Sequence, residues 1–110
     1  MNRINWTNLR NNIPTRLKVA TKRFFEILWS EDMKDTTGTM LHGKTEFDPD
    51  RIIINVNQSN KDAVLTLWHE HVHALDHTHD IKLTEGQVIK LEKCYPYVRE
   101  FVLTVEGIKK

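Results

Sequence analysis

Behind Pro14, apolar residues recur at three- and four-residue steps: Leu17, Ala20, Phe24, Ile27 and Leu28, running on to Trp29. Proline suits the first turn of a helix, so this spacing predicts an amphipathic helix over residues 14–31. The polar stretch from Glu31 to Gly38, containing Asp-Thr-Thr-Gly, reads as the end of that helix and the passage to extended structure. Residues 39–47 are mixed in pattern, Asp48-Pro49-Asp50 puts proline where a type I turn takes it, and residues 51–57 form a β-branched run. A β-hairpin is expected there, with Ile52, Ile54 and Val56 on one face beneath a helix.

Ser59 followed by Asp62 resembles a capping box, which predicts a helix over about residues 60–78. Asp80 to Leu83 then form an exit loop, and Thr84 with Gln87 makes a second capping box that starts another helix near residue 85. Pro96 ends or kinks it, while Val98, Phe101, Val102 and Val105 keep helical register for a last helix. The expected class is α+β: an N-terminal helix, a β-hairpin, a histidine-bearing helix and one or two C-terminal helices. At 110 residues they make a single domain over residues 1–110.

Composition narrows the chemistry. With 39% hydrophobic and 28% charged residues the chain has the balance of a globular domain. No apolar run approaches the roughly 18 residues of a membrane span, and the N-terminal MNRINWTNLRNN lacks the apolar stretch of a signal peptide, so a cytoplasmic protein is expected. The single cysteine, Cys94, reads as buried filler and excludes both an internal disulfide and a CxxC zinc site. Any metal must therefore be held by nitrogen and oxygen. Residues 1–30 carry six basic side chains against Glu26 alone, and the remainder ten basic against fourteen acidic. The basic segment reads as a solvated face, since no aromatic or glycine-rich element is interleaved as nucleic-acid binding would need.

Five of the six histidines lie between positions 69 and 79, and within them His69-Glu70-x-x-His73 is an HExxH zinc motif on a predicted helix. Residues four apart stand one turn apart and about 40° around the axis, so the two imidazoles reach one ion while Glu70 lies beside them as a base for a water. A catalytic zinc takes three protein ligands and keeps one position open. Glu85, in the first turn of the next helix, is the preferred third ligand on spacing, with His77 as the alternative. Asp76, about one turn past His73, is a candidate to orient a ligand imidazole. His71 falls on the opposite side among Val64, Leu67 and Leu75 and reads as packed. For the group that steadies an oxyanion, His42, His77, His79, Tyr95 and Tyr97 have suitable chemistry and no spacing selects among them.

His69-Glu70-x-x-His73-Ala74-Leu75-Asp76 followed by Ile81-Lys82-Leu83-Thr84-Glu85-x-x-Val88 resembles the small phage and prophage HExxH proteins related to the ImmA/IrrE-type zincin metallopeptidases. Leu41-His42-Gly43-Lys44-Thr45-x-Phe47-Asp48, Ile52-x-Ile54 and Thr66-Leu67-Trp68 extend the likeness over roughly residues 30–105. The resemblance implies a minimal zincin-like core, one zinc ion with Glu85 as its third ligand, a protein or peptide substrate, and a phage-derived protein at work in a bacterial host cell. These residues depart from the full-length pattern in holding no DNA-binding domain and in the short gap between motif and glutamate. The expected function is a zinc metallopeptidase in which Glu70 takes a proton from the attacking water and returns it to the leaving amine. Residues 39–47, placed at a sheet edge, would pair with an extended substrate. A silent zinc-containing protein that binds a host or phage regulatory factor is a second reading, and a metal-dependent ribonuclease a third. Manganese, iron or nickel would also suit two imidazoles and a carboxylate.

Overall fold

The computed structural model describes residues 5–94. Helix α1, Trp6–Asn11, leads into strands β1, Arg16–Ala20, and β2, Arg23–Ser30, then β3, Gly43–Glu46, and β4, Arg51–Asn55; helix α2 spans Asn60–His79. A third helix, α3, covers residues 85–94 and runs to the end of the described chain. The strands form one mixed sheet in the order β1-β2-β4-β3, antiparallel at both ends and parallel between β2 and β4. The architecture is α+β, as the sequence pattern predicts. The last helix expected around Val98, Phe101, Val102 and Val105 lies outside the described residues.

The N-terminal element is the main correction. Residues 14–31 are not a helix but the β1–β2 hairpin, and Pro14 sits between α1 and β1. The apolar positions fit two periods, and the period of two decides: Val19, Phe25 and Ile27 are buried while Arg16, Lys18, Phe24 and Glu26 are exposed. Phe24, counted toward a helix stripe, instead faces outward beneath the Arg16 guanidinium, 4.3 Å from its ring centre. Branched and aromatic residues fit a pleated, half-buried surface, and α2 supplies the second layer that such a surface needs.

The β3–β4 hairpin forms as expected, though β3 is shorter than residues 39–47, and the Asp48–Pro49 peptide in its turn is cis. Ile52 and Ile54 are fully buried and join Val19, Phe25, Ile27, Ala63, Leu67 and Ala74 in the core between sheet and α2. Each such Ile or Phe contributes about 1.5–3 kcal/mol through burial. Arg23, at the start of β2, bonds Asp50 at 2.7 and 3.1 Å, tying the β3–β4 turn to the central strand. The guanidinium holds the Asp50 carboxyl below its usual pKa, chiefly by that hydrogen bond.

Helix α2 starts where its cap predicts, with Ser59 Oγ accepting from the Asp62 amide at 3.1 Å. Its close seat on the sheet depends on Gly43. A Cβ there would overlap the Thr66 methyl and lie 3.0 Å from the Ile53 carbonyl oxygen. Edge strand and helix meet at this point, which sets the position of everything that the helix presents. Among the described residues no helix is long and apolar enough to cross a membrane.

Candidate metal centre

Two turns of α2 and the first turn of α3 converge on one point. His69 Nε2 and His73 Nε2 are 3.1 Å apart, and the Glu85 carboxylate reaches both, at 3.4 and 3.3 Å. Ligand atoms about 2.0–2.1 Å from a tetrahedral ion lie about 3.3 Å apart, a spacing the two imidazoles approach. Glu85 meets His69 through Oε2 and His73 through Oε1, and one atom from each of the three residues falls within 4.8 Å of the others. His69, His73 and Glu85 are the one group of this kind among the described residues. Two imidazoles and a carboxylate are also a donor set of catalytic zinc sites.

Local sequence explains how Glu85 arrives there. The helix stops at Asp80, whose backbone is left-handed at φ 54°, and the Ile81 amide bonds back to the Asp76 carbonyl at 3.0 Å. Asp76 Oδ1 then accepts from the Lys82 and Leu83 amides, at 2.6 and 3.2 Å, and turns the chain around. Thr84 and Gln87 close a reciprocal cap, Thr84 N to Gln87 Oε1 at 2.9 Å and Gln87 N to Thr84 Oγ1 at 3.2 Å. Glu85 is the first residue of the helix so started, one position past the cap. The structure therefore gives Asp76 a different task from orienting a ligand ring: its carboxylate is engaged by the loop that returns Glu85.

The orienting carboxylate is Glu92, which the sequence reading missed. Its Oε1 lies 2.8 Å from His69 Nδ1, fixing the hydrogen on Nδ1 and leaving the Nε2 lone pair for a metal. The signal was available as a spacing: helix α3 runs antiparallel to α2, so Glu85 and Glu92, seven apart, share the face turned to His73 and then His69. Trp68 Nε1 donating to the Leu91 carbonyl at 2.8 Å and buried Val88 hold that face in place.

Glu70 is buried, 9% exposed, with Oε1 2.7 Å from the Thr45 hydroxyl of β3. The same hydroxyl lies 3.1 Å from the Glu70 carbonyl, so the edge strand fixes both ends of the residue. Nothing local in the sequence announces Thr45, whose partner is 25 positions away. Glu70 borders two concavities, a groove of about 720 Å³ with His73 and a smaller pocket of about 280 Å³ with His69.

The other histidines are elsewhere. His77 is exposed and stacks on Phe47, ring centres 3.9 Å apart, outside the ligand group. His79 Nε2 donates to the Val19 carbonyl at 2.7 Å and anchors the end of α2 on β1. His42 is held through Nδ1 by Gln58 Oε1 at 3.0 Å. His71 packs against Trp68 as expected; burial pushes its pKa down, partly offset by a hydrogen bond to the Lys18 backbone. Tyr95 and Tyr97 lie outside the described residues. Cys94, expected as buried filler, is exposed.

No family model, curated protein or solved structure matches this chain. The chemistry has to be read from the site's own residues.

Proposed function

We propose that the chain is a zinc-dependent metallopeptidase of the ImmA/IrrE-related zincin type. In this reading His69, His73 and Glu85 hold the ion and Glu70 is the general base, with a segment of protein as substrate. The observation that carries the reading is the convergence of His69 Nε2 and His73 Nε2, 3.1 Å apart, with a Glu85 carboxylate that sets Oε2 3.4 Å from the first and Oε1 3.3 Å from the second, beside a buried glutamate anchored by the edge strand. The zinc, when bound, supplies Lewis acidity that brings a water's pKa towards neutrality and polarises a carbonyl.

The remaining work falls to the protein. Thr45 fixes one oxygen of Glu70, and the other takes a proton from the attacking water and passes it to the amine as the C–N bond breaks. Glu92 keeps His69 in the ligating tautomer, and Asp76 keeps Glu85 in reach. Among the described residues strand β3 is at the end of the sheet order, so an extended substrate can add to its outer edge and run past Glu70. A phage origin and a regulatory protein as substrate go with the family likeness and are part of the proposal.

Elemental analysis of purified protein, with cleavage assays on peptide and protein substrates, tests this reading. Wild type is expected to hold one zinc, and Glu70→Gln to keep both zinc and fold while losing at least about 100-fold in cleavage rate. Release of zinc by His77→Ala but not by Glu85→Ala would refute the ligand set. Zinc held firmly with no cleavage of any protein moves the reading to a silent binding protein.

A further inference from the structure

The two concavities beside Glu70 differ in charge. The groove on the His73 side is mixed, with Lys44 and Lys82 set against Glu70, Asp76 and Asp80. Among the described residues, the pocket on the His69 side, about 280 Å³, has no lysine or arginine in its wall, and its charged members are Asp62, Glu70 and Glu92.

Hydrogen positions sharpen the contrast. Gln58 Nε2 donates to the carbonyls of Asn55 and His42, at 2.7 and 3.0 Å, which fixes which end of its amide is oxygen. Gln58 Oε1 therefore faces Thr66 Oγ1 at 3.1 Å and His42 Nδ1 at 3.0 Å, and both must donate to it. His42 has thereby spent its Nδ1 hydrogen, and Thr66 keeps oxygen lone pairs. His69 spends its Nδ1 hydrogen on Glu92 at 2.8 Å. The described side chains of this pocket thus offer chiefly acceptors and negative charge.

We infer that this pocket binds a lysine or arginine side chain of the substrate, so that the enzyme cuts beside a basic residue. The inference rests on the peptidase reading for its position in the reaction, while the pocket's preference for a cation stands on its own lining. A guanidinium or ammonium supplies donors alone and meets carboxylates with charge-assisted bonds. Bounded by His42 and Gly43 at one end of β3 and by Glu70, the pocket lies where a side chain of a strand on that edge would enter.

The full chain, with and without zinc, is titrated with agmatine, which mimics an arginine side chain, and with neutral valeramide, both followed by NMR. Agmatine is expected to shift the Asp62 and Thr66 amides and the His42 ring, valeramide to leave them still. Asp62→Asn should weaken agmatine about tenfold and Asp62→Lys remove its effect. In parallel, zinc-loaded protein digests a peptide library prepared with a glutamate-specific protease. Lysine or arginine is expected at one fixed place beside the cut, a preference that Asp62→Lys abolishes.

Agmatine shifts that map elsewhere or match those of valeramide overturn the pocket, as do cuts without basic preference. Cutting without preference would leave the peptidase reading intact. Agmatine in the pocket with no cutting of any peptide supports the cation site and counts against the peptidase.

Discussion

On one side of α2, His69 and His73 turn their Nε2 atoms to within 3.1 Å of each other, with Glu85, Glu92 and Glu70 around them. On the other side His71, between them in sequence, lies beside Trp68, Leu67 and the α1–β1 corner, its Nε2 buried without a hydrogen-bond partner among the described residues. Two residues of chain separate the two environments. The difference comes from what the rest of the fold brings to each side: α3 returns carboxylates along one, while α1 and β1 cover the other with Leu9, Ile13 and Leu17. Histidine content alone therefore does not distinguish the two sides, and the carboxylates that approach one of them do.

Removing the carboxylate that faces both imidazoles should break the contrast most. Glu85→Ala is expected to lower zinc affinity by more than about 100-fold, beyond what loss of an outer-shell partner costs, with the zinc-free fold retained. Competition with a chelating dye measures it. Glu92→Gln should weaken zinc by about 10–100-fold through His69 alone, and His71→Leu, on the far side, should leave affinity unchanged. Equal losses from Glu92→Gln and His71→Leu would erase the distinction between the two faces.

Gly43→Ala is expected to destabilise the fold by about 1–3 kcal/mol in urea denaturation, because the added methyl overlaps Thr66 where edge strand and helix meet. Thr66→Ser, which removes the obstructing methyl, should restore part of the loss.

The smallest effect belongs to His71 and to pH. Burial lowers its pKa, so as pH falls the unfolded chain takes up a proton before the folded one does. Its contribution is present above the ordinary histidine value near 6.5 and is lost progressively as pH drops towards the depressed folded value. Urea midpoints of zinc-free protein at pH 7.5 and 5.5 should differ less in His71→Leu than in wild type.

The sequence could be read best where a local signal had one meaning. Ser59 and the Thr84–Gln87 pair announce their helices, and both caps are formed. His69, His73 and Glu85 are brought together and His77 is not, for the same reason: their placement depends on helical register and a short loop. Residues 14–31 misled because Leu17, Phe24, Ile27 and Leu28 satisfy a helical period while Val19, Phe25 and Ile27 satisfy a strand period. The arbiter, a second layer made by α2, is some forty residues away. Thr45, Gln58 and Glu92 were invisible for a related reason, since each acts on a partner in a different element.

An unpaired strand edge is open to any extended chain, a second copy of the same protein included, and such pairing is how sheets grow into aggregates. Here β3 is four residues long and carries Lys44 and Glu46 beside each other in a 3.0 Å ion pair, with Arg51 of β4 on Glu46 as well. A ladder that short gives a like strand little to hold, and stacking two copies would bring their charged side chains together. An edge of this kind, which no described residue pairs with, accepts a passing chain briefly and makes a poor template for its own kind.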